Sequence, residues 1–171
     1  KAALAGGAIS FINAALYDYL FPVAAYIENS AADFRKELAA VLVAAGDSSY
    51  QDSAAKHTED HQRIAESLRR SGSSILLGHI AQRHPAFAAL WQMAEKLSEL
   101  TGATVGVITE GANAAGLALA GVSPHYAPGG KLVRNPGANF GEMLASPVKA
   151  LVQLGIEPEL DCADSVAAIQ A

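Results

Sequence analysis

A doubly wound α/β domain, with a mainly parallel sheet, helices on both faces and an alanine-rich helical segment in front of it, is the fold class that this sequence predicts. Three observations predict it. From Ser74 onward, short apolar runs rich in β-branched residues alternate with amphipathic helical repeats, and strands separated by helices pair in parallel through right-handed crossovers. Alanine supplies 36 of the 171 residues; it loses no side-chain entropy in a helix and favours closely packed helices over a β-rich core. Hydrophobic residues make up 51% of the chain and aromatic residues only 6%, so one domain of this length buries a real core built from small side chains.

Residues 2–27 are the most apolar stretch, with Asp18 as the only charge before Glu28. Gly6-Gly7, Asn13, the Tyr17-Asp18-Tyr19 cluster and Pro22 interrupt it before the ~20 uninterrupted apolar residues of a membrane span accumulate. A buried, alanine-rich helix is expected instead. Residues 30–45 read as an amphipathic helix, with Phe34, Leu38, Val41 and Leu42 at helical spacing and Gly46 as its stop. A second helix over 52–70 carries Ile64 and Leu68 on one face and a charged, solvated remainder. Ser71-Gly72-Ser73-Ser74 then punctuates the chain. Residues 1–72 are therefore taken as a helical segment packing on a parallel α/β domain of residues 73–171, truncated at its C-terminal end.

Within that domain, residues 75–78 suit a strand buried on both faces. A helix over 85–100 starts at Pro85 and repeats Phe87, Leu90, Trp91, Ala94 and Leu97 at intervals of three and four. Residues 104–109 form a second, β-branched strand and 112–120 the next helix. A Pro- and Gly-rich loop over 123–137 leads to a short helix at 140–145, a third strand at 150–154 and a helix over 164–171. Lys1 at the start and the uncapped helical pattern at Ala171 lead us to expect a cut at both ends.

Charge and cysteine content narrow the chemistry. A net charge of −5 offers no attraction to a phosphate backbone or an anionic membrane surface, so nucleic acid is not expected as a partner. Cys162 is the single cysteine. A disulfide needs two, and a Cys-ligated zinc or iron–sulfur site needs three or four, so a reduced, intracellular compartment is expected.

Ligands of doubly wound sheets bind outside the carboxyl ends of the strands. Those ends are Gly78-His79, Glu110-Gly111 and Gly155-Ile156-Glu157-Pro158. Gly111 to Gly116 lies where a strand turns into a helix, the context of a phosphate loop. It lacks the Lys-Ser or Lys-Thr of a P-loop, because Leu117-Ala118 follow, and Ala112-Asn113 provides no second glycine for a dinucleotide fingerprint. Glu110 would also set a carboxylate beside the helix N-terminus that an anion would use. The candidate site is thus a vestigial ligand edge of Gly78, His79, Glu110, Gly111, Asn113 and Glu157, with no catalytic residue and no metal ligand assigned. His57 and His61 share the i, i+4 spacing of a metal-chelating pair, but Glu59 is one place too late for His-Glu-x-x-His. An exposed charged helix is the plainer expectation there. His79 is expected to be a hydrogen-bonded loop histidine, and Cys162 a buried structural thiol.

Several of these segments, in order and spacing, carry a resemblance. Ile75-Leu76-Leu77-Gly78, Ala81-Gln82-Arg83-His84-Pro85, Thr101-Gly102-Ala103, Thr109-Glu110-Gly111-Ala112-Asn113 and Leu119-Ala120-Gly121 look like the large iron–sulfur subunit of bacterial NADH–quinone oxidoreductase, complex I. So do Glu142-Met143-Leu144-Ala145-Ser146-Pro147, Lys149-Ala150-Leu151-Val152 and Leu154-Gly155-Ile156-Glu157-Pro158-Glu159-Leu160-Asp161-Cys162. The first sixty residues are much less distinctive. The resemblance implies a piece of that subunit's molybdopterin-oxidoreductase-like region, Rossmann-like in fold. In this family the iron–sulfur clusters sit on cysteine-rich segments nearer the N-terminus, and FMN sits on a partner subunit. The piece itself is then expected to hold no cofactor and to carry no electrons. Its implied task is to brace the cluster-bearing part of the peripheral arm while electrons pass from NADH to quinone. The implied partners are other parts of the same subunit and neighbouring subunits. The implied location is the cytoplasmic side of the bacterial inner membrane, within a membrane-bound complex and without direct insertion, the piece itself being soluble. The alternative is a fragment of a true molybdopterin-dependent oxidoreductase, formate dehydrogenase-like, that binds the pterin dinucleotide at the strand ends.

Overall fold

Alanine does not carry the first thirty residues into a helix. In the structure, a computed structural model that describes residues 2–146, 148–162 and 164–170, a 3-10 turn at Ala3–Ala5 stops at Gly6, whose φ is 84°. The chain then extends into strand β1 (Ser10–Asn13), which pairs in parallel with β2 (Ala25–Glu28). The alanine-rich helix expected over 2–27 is corrected by these two strands. Phe11, Ile12, Tyr26 and Ile27 are aromatic or β-branched and prefer extended backbone, while the alanines between them come only singly or in pairs. In the connection from β1 to β2, the Phe11 ring stacks on Tyr19 with centroids 4.5 Å apart.

The chain forms two compact units, residues 1–110 and 111–171, so the junction expected at 72/73 falls inside the first. That unit continues with helix α1 (Phe34–Ala44), reached through a 3-10 turn whose cap Ser30 accepts from the Ala32 N–H. The helix expected over 52–70 is shorter, α2 (Glu59–Leu68), because residues 48–53 close into a 3-10 segment instead. Asp47 caps that segment by accepting from the Ser49 N–H at 3.1 Å and the Ser49 hydroxyl at 2.5 Å. These hydrogen bonds, the hydroxyl's first, hold the Asp47 carboxyl below the usual carboxylate range. A depressed folded pKa adds stability above the ordinary value, and that stability is lost as pH falls through the lowered one. Ser49→Ala should return the Asp47 titration toward the ordinary carboxylate range, as followed by carbon-13 NMR; an unmoved midpoint would show that the hydroxyl is not the cause.

Strand β3 (Ser74–Leu77), the single turn α3 (His79–Gln82), helix α4 (Phe87–Thr101) and strand β4 (Thr104–Val107) complete the unit, with β3 and β4 parallel. The strand expected to be buried on both faces is corrected here. Leu77 is buried but Leu76 stands 60% exposed, because alternate residues of a strand face opposite sides and only the side carrying Ile75 and Leu77 is covered. One core joins these elements: Ile27, Leu38, Val41, Leu42, Ile64 and Leu97 all belong to a single buried cluster. Helix α4 ends at Gly102, φ 79°, and nothing lies within 4 Å of the position its Cβ would take. Gly102→Ala should therefore cost about 1 kcal/mol through left-handed backbone strain alone. A lower urea midpoint with an unchanged slope would register it.

The second unit holds short elements: α5 (Ala114–Leu119), an antiparallel hairpin of β5 (Tyr126–Ala127) and β6 (Lys131–Leu132), then α6 (Phe140–Ala145), α7 (Pro158–Asp161) and α8 (Ser165–Gln170). Helix α6 spans the residues expected, fixed by a capping box between Asn139 and Glu142. Ala171, expected to extend the last helix, lies outside the described residues. The strand expected over 150–154 is corrected to irregular backbone, with Val152 and Leu154 each 92% exposed. A strand exists only beside another strand, and no sheet among the described residues includes this run. The described strands form three two-stranded sheets rather than one extended sheet. Among the described residues no helix is long and apolar enough to cross a membrane.

Candidate functional site

The C-terminal ends of β3 and β4 lie side by side, and α3 folds over them. Gly78 leaves β3 in extended backbone and becomes the N-cap of α3. One turn later the Gln82 amide donates to the Leu77 carbonyl at 2.9 Å and to the Ile108 carbonyl at 2.7 Å. A single side chain thereby ties both strand ends together. The next residue, Arg83, donates to Glu110 Oε1 at 2.6 Å, and His79 Nδ1 stands 3.5 Å from the same oxygen. Three of the expected residues, Gly78, His79 and Glu110, are thus gathered at one edge. The Arg83 and Glu110 side chains are 68% and 61% exposed, so their ion pair is worth no more than about 1 kcal/mol.

Chemically, this edge holds a guanidinium already matched by a carboxylate. The partner of His79 is the Glu110 carboxylate rather than a serine or cysteine, and an exposed imidazole beside a carboxylate is not by itself a nucleophilic or acid–base centre. Gln82, which organises the edge, escaped the sequence reasoning. The signal for it was available: a glutamine placed four residues after the strand-terminal glycine, where one helical turn returns a side chain over the strand end.

The other expected residues belong to the second unit. Asn113 is the N-cap of α5, and its side chain lies against Gly116, where a Cβ would stand 2.0 Å from Asn113 Oδ1. The space a Cβ would take at Gly116 is thus filled by the Asn113 side chain. Glu157 is exposed ahead of α7, its N–H donating to Asp161 Oδ2 at 2.8 Å. Cys162 is half-buried rather than fully buried and lines an apolar cavity of about 560 Å³ with Met143, Leu144 and Ile156.

The histidine pair divides. His57 is exposed ahead of α2, and its ring centroid is 5.9 Å from that of His61. His61 is 1% exposed, so the expectation of an exposed helix face fails at this residue. Its Nε2 lies 2.8 Å from Glu37 Oε2, and its Nδ1 receives the Thr58 N–H at 3.0 Å. An amide N–H can only donate, so Nδ1 is the acceptor and the ring proton sits on Nε2, facing Glu37. Asn29 Nδ2 donates to the other Glu37 oxygen. Both ring nitrogens of His61 are engaged within the core, which leaves neither for a metal. Among the described residues no group of three or more potential ligands gathers in metal-binding geometry.

No protein-family model, curated protein or solved structure gives a significant match to this chain.

Proposed function

We propose that this chain is a scaffold piece of the molybdopterin-oxidoreductase-like region of a respiratory NADH–quinone oxidoreductase subunit, bracing cluster-bearing parts on the cytoplasmic side of the membrane without carrying electrons. The ordered motifs from Ile75 to Cys162 support the family. The observation that carries the non-catalytic role is the Glu110 carboxylate at the end of β4, held by Arg83 at 2.6 Å. A pyrophosphate at such an edge meets negative charge where a cofactor site presents backbone N–H groups and glycine. The cation that could have offset this is already paired.

Two measurements test the proposal. Purified chain titrated with GMP or molybdopterin guanine dinucleotide should show no calorimetric binding at micromolar concentrations; micromolar affinity would return the chain to the pterin enzymes. The full-length parent, extracted from membranes, should copurify with NADH:ferricyanide activity and iron–sulfur signals while lacking molybdenum and pterin. A molybdenum-bearing parent that oxidises formate would overturn the scaffold role.

A further inference from the structure

The main chain of β1 is paired on one side. The carbonyls of Ile9 and Asn13 accept from Ala24 at 2.8 Å and Asn29 at 3.0 Å, so residues 9, 11 and 13 address β2. Successive residues of a strand point their N–H and C=O groups to alternate sides, which turns those of Ser10 and Ile12 away from it. In β3 the carbonyls of Ser73 and Leu77 accept from Thr104 and Ile108, both at 3.0 Å. The same alternation turns the main-chain groups of Ser74 and Leu76 away from β4.

Ser10, Ile12, Ser74 and Leu76 all line one half-open cavity of about 420 Å³ in the first unit. Its other walls are largely apolar, including Phe34, Leu38, Ile64 and Leu90. Ser10 Oγ is buried and, among the described residues, has no hydrogen-bond partner. A small apolar molecule would satisfy none of these donors and acceptors, whereas an extended strand supplies N–H and C=O groups to both sides at once. By the spacings of sheet geometry a strand residue fills on the order of 150 Å³, so the slot has room for a few residues. The chain itself offers such a strand. The run 150–154, Ala-Leu-Val-Gln-Leu, is uncharged, mostly apolar and, among the described residues, in no sheet, with Val152 and Leu154 each 92% exposed.

We propose that the slot between β1 and β3 binds the run 150–154 of a second copy of this chain as an added strand, giving a strand-exchanged dimer. An isologous exchange fills both slots and leaves no open end. It also covers two edges that, left free, invite uncontrolled pairing. The inference stands independently of the respiratory-subunit proposal.

Analytical ultracentrifugation of the full chain over a hundredfold concentration range should show a monomer–dimer equilibrium. Ser10→Pro removes an N–H that faces the slot and none that faces β2, so it should leave the fold intact and weaken the dimer about tenfold or more. Val152→Asp should do the same from the other partner, with circular dichroism verifying that each variant is folded. Amides of Ser10, Ile12, Ser74 and Leu76 should gain hydrogen-exchange protection as concentration rises. A monomer throughout, or a dimer indifferent to both substitutions, would overturn the proposal. Protection of the four amides independent of concentration would overturn it too, by placing a different strand in the slot.

Discussion

Replacing Glu37 with alanine should destabilise the first unit by about 3 kcal/mol or more, the cost typical of removing one member of a buried polar pair. Its two oxygens take up the His61 Nε2–H at 2.8 Å and an Asn29 amide hydrogen, and both side chains of the Glu37–His61 pair are within 6% of full burial. The truncation leaves the buried His61 Nε2–H without an acceptor and takes one from the half-buried Asn29 amide. His61→Ala should cost a similar amount, because it also strips the Thr58 N–H of its acceptor at the first turn of α2. The double variant should lose less than the two losses added, by about 1–3 kcal/mol of coupling. Urea unfolding of the four proteins decides the matter: losses that add to within about 0.5 kcal/mol would show that the two residues act separately.

Leu97→Ala should be nearly as damaging, at about 3 kcal/mol. Leu97 is 1% exposed in α4 and belongs to the cluster that contains Leu38, Val41 and Leu42. Its truncation loses transfer free energy and opens a cavity that helices on several sides cannot close. Leu20→Ala is the paired control. With Leu20 fully exposed in the same unit, the same chemical change should stay within about 0.5 kcal/mol of the parent. Comparable losses at the two sites would mean that Leu20 is buried in solution.

Much of the first unit was legible from short-range pattern. Helix α4 announces itself through Leu90, Ala94 and Leu97 and ends where Thr101-Gly102 says it should. The parallel pairing of β3 with β4 follows from two apolar runs with a helix between them. The N-terminal strands were lost to composition. A count of alanines over residues 2–27 outweighed the Phe11-Ile12 and Tyr26-Ile27 pairs, although those four side chains set the local backbone. The run 150–154 erred the other way: it is a short uncharged, mostly apolar run of strand length, but strand formation depends on a neighbour that no local window contains. Glu37 was unreadable for a related reason. On α1 it sits among Arg35 and Lys36 like any solvated acid, and only a histidine 24 positions later makes it a core residue. At the candidate site, glycines and charges stood out while the glutamine that holds the strand ends together did not.

That glutamine also makes the β3–β4 pair a ladder pinned at both ends. At the C-terminal end the strands are cross-linked by Gln82 through Leu77 and Ile108, and at the other end by the Thr104 N–H and hydroxyl on the Ser73 carbonyl and by the Ser74–Thr104 hydroxyl pair. Loss of the Gln82 amide would therefore release one end and leave the other held, like a zip with a stop at each end.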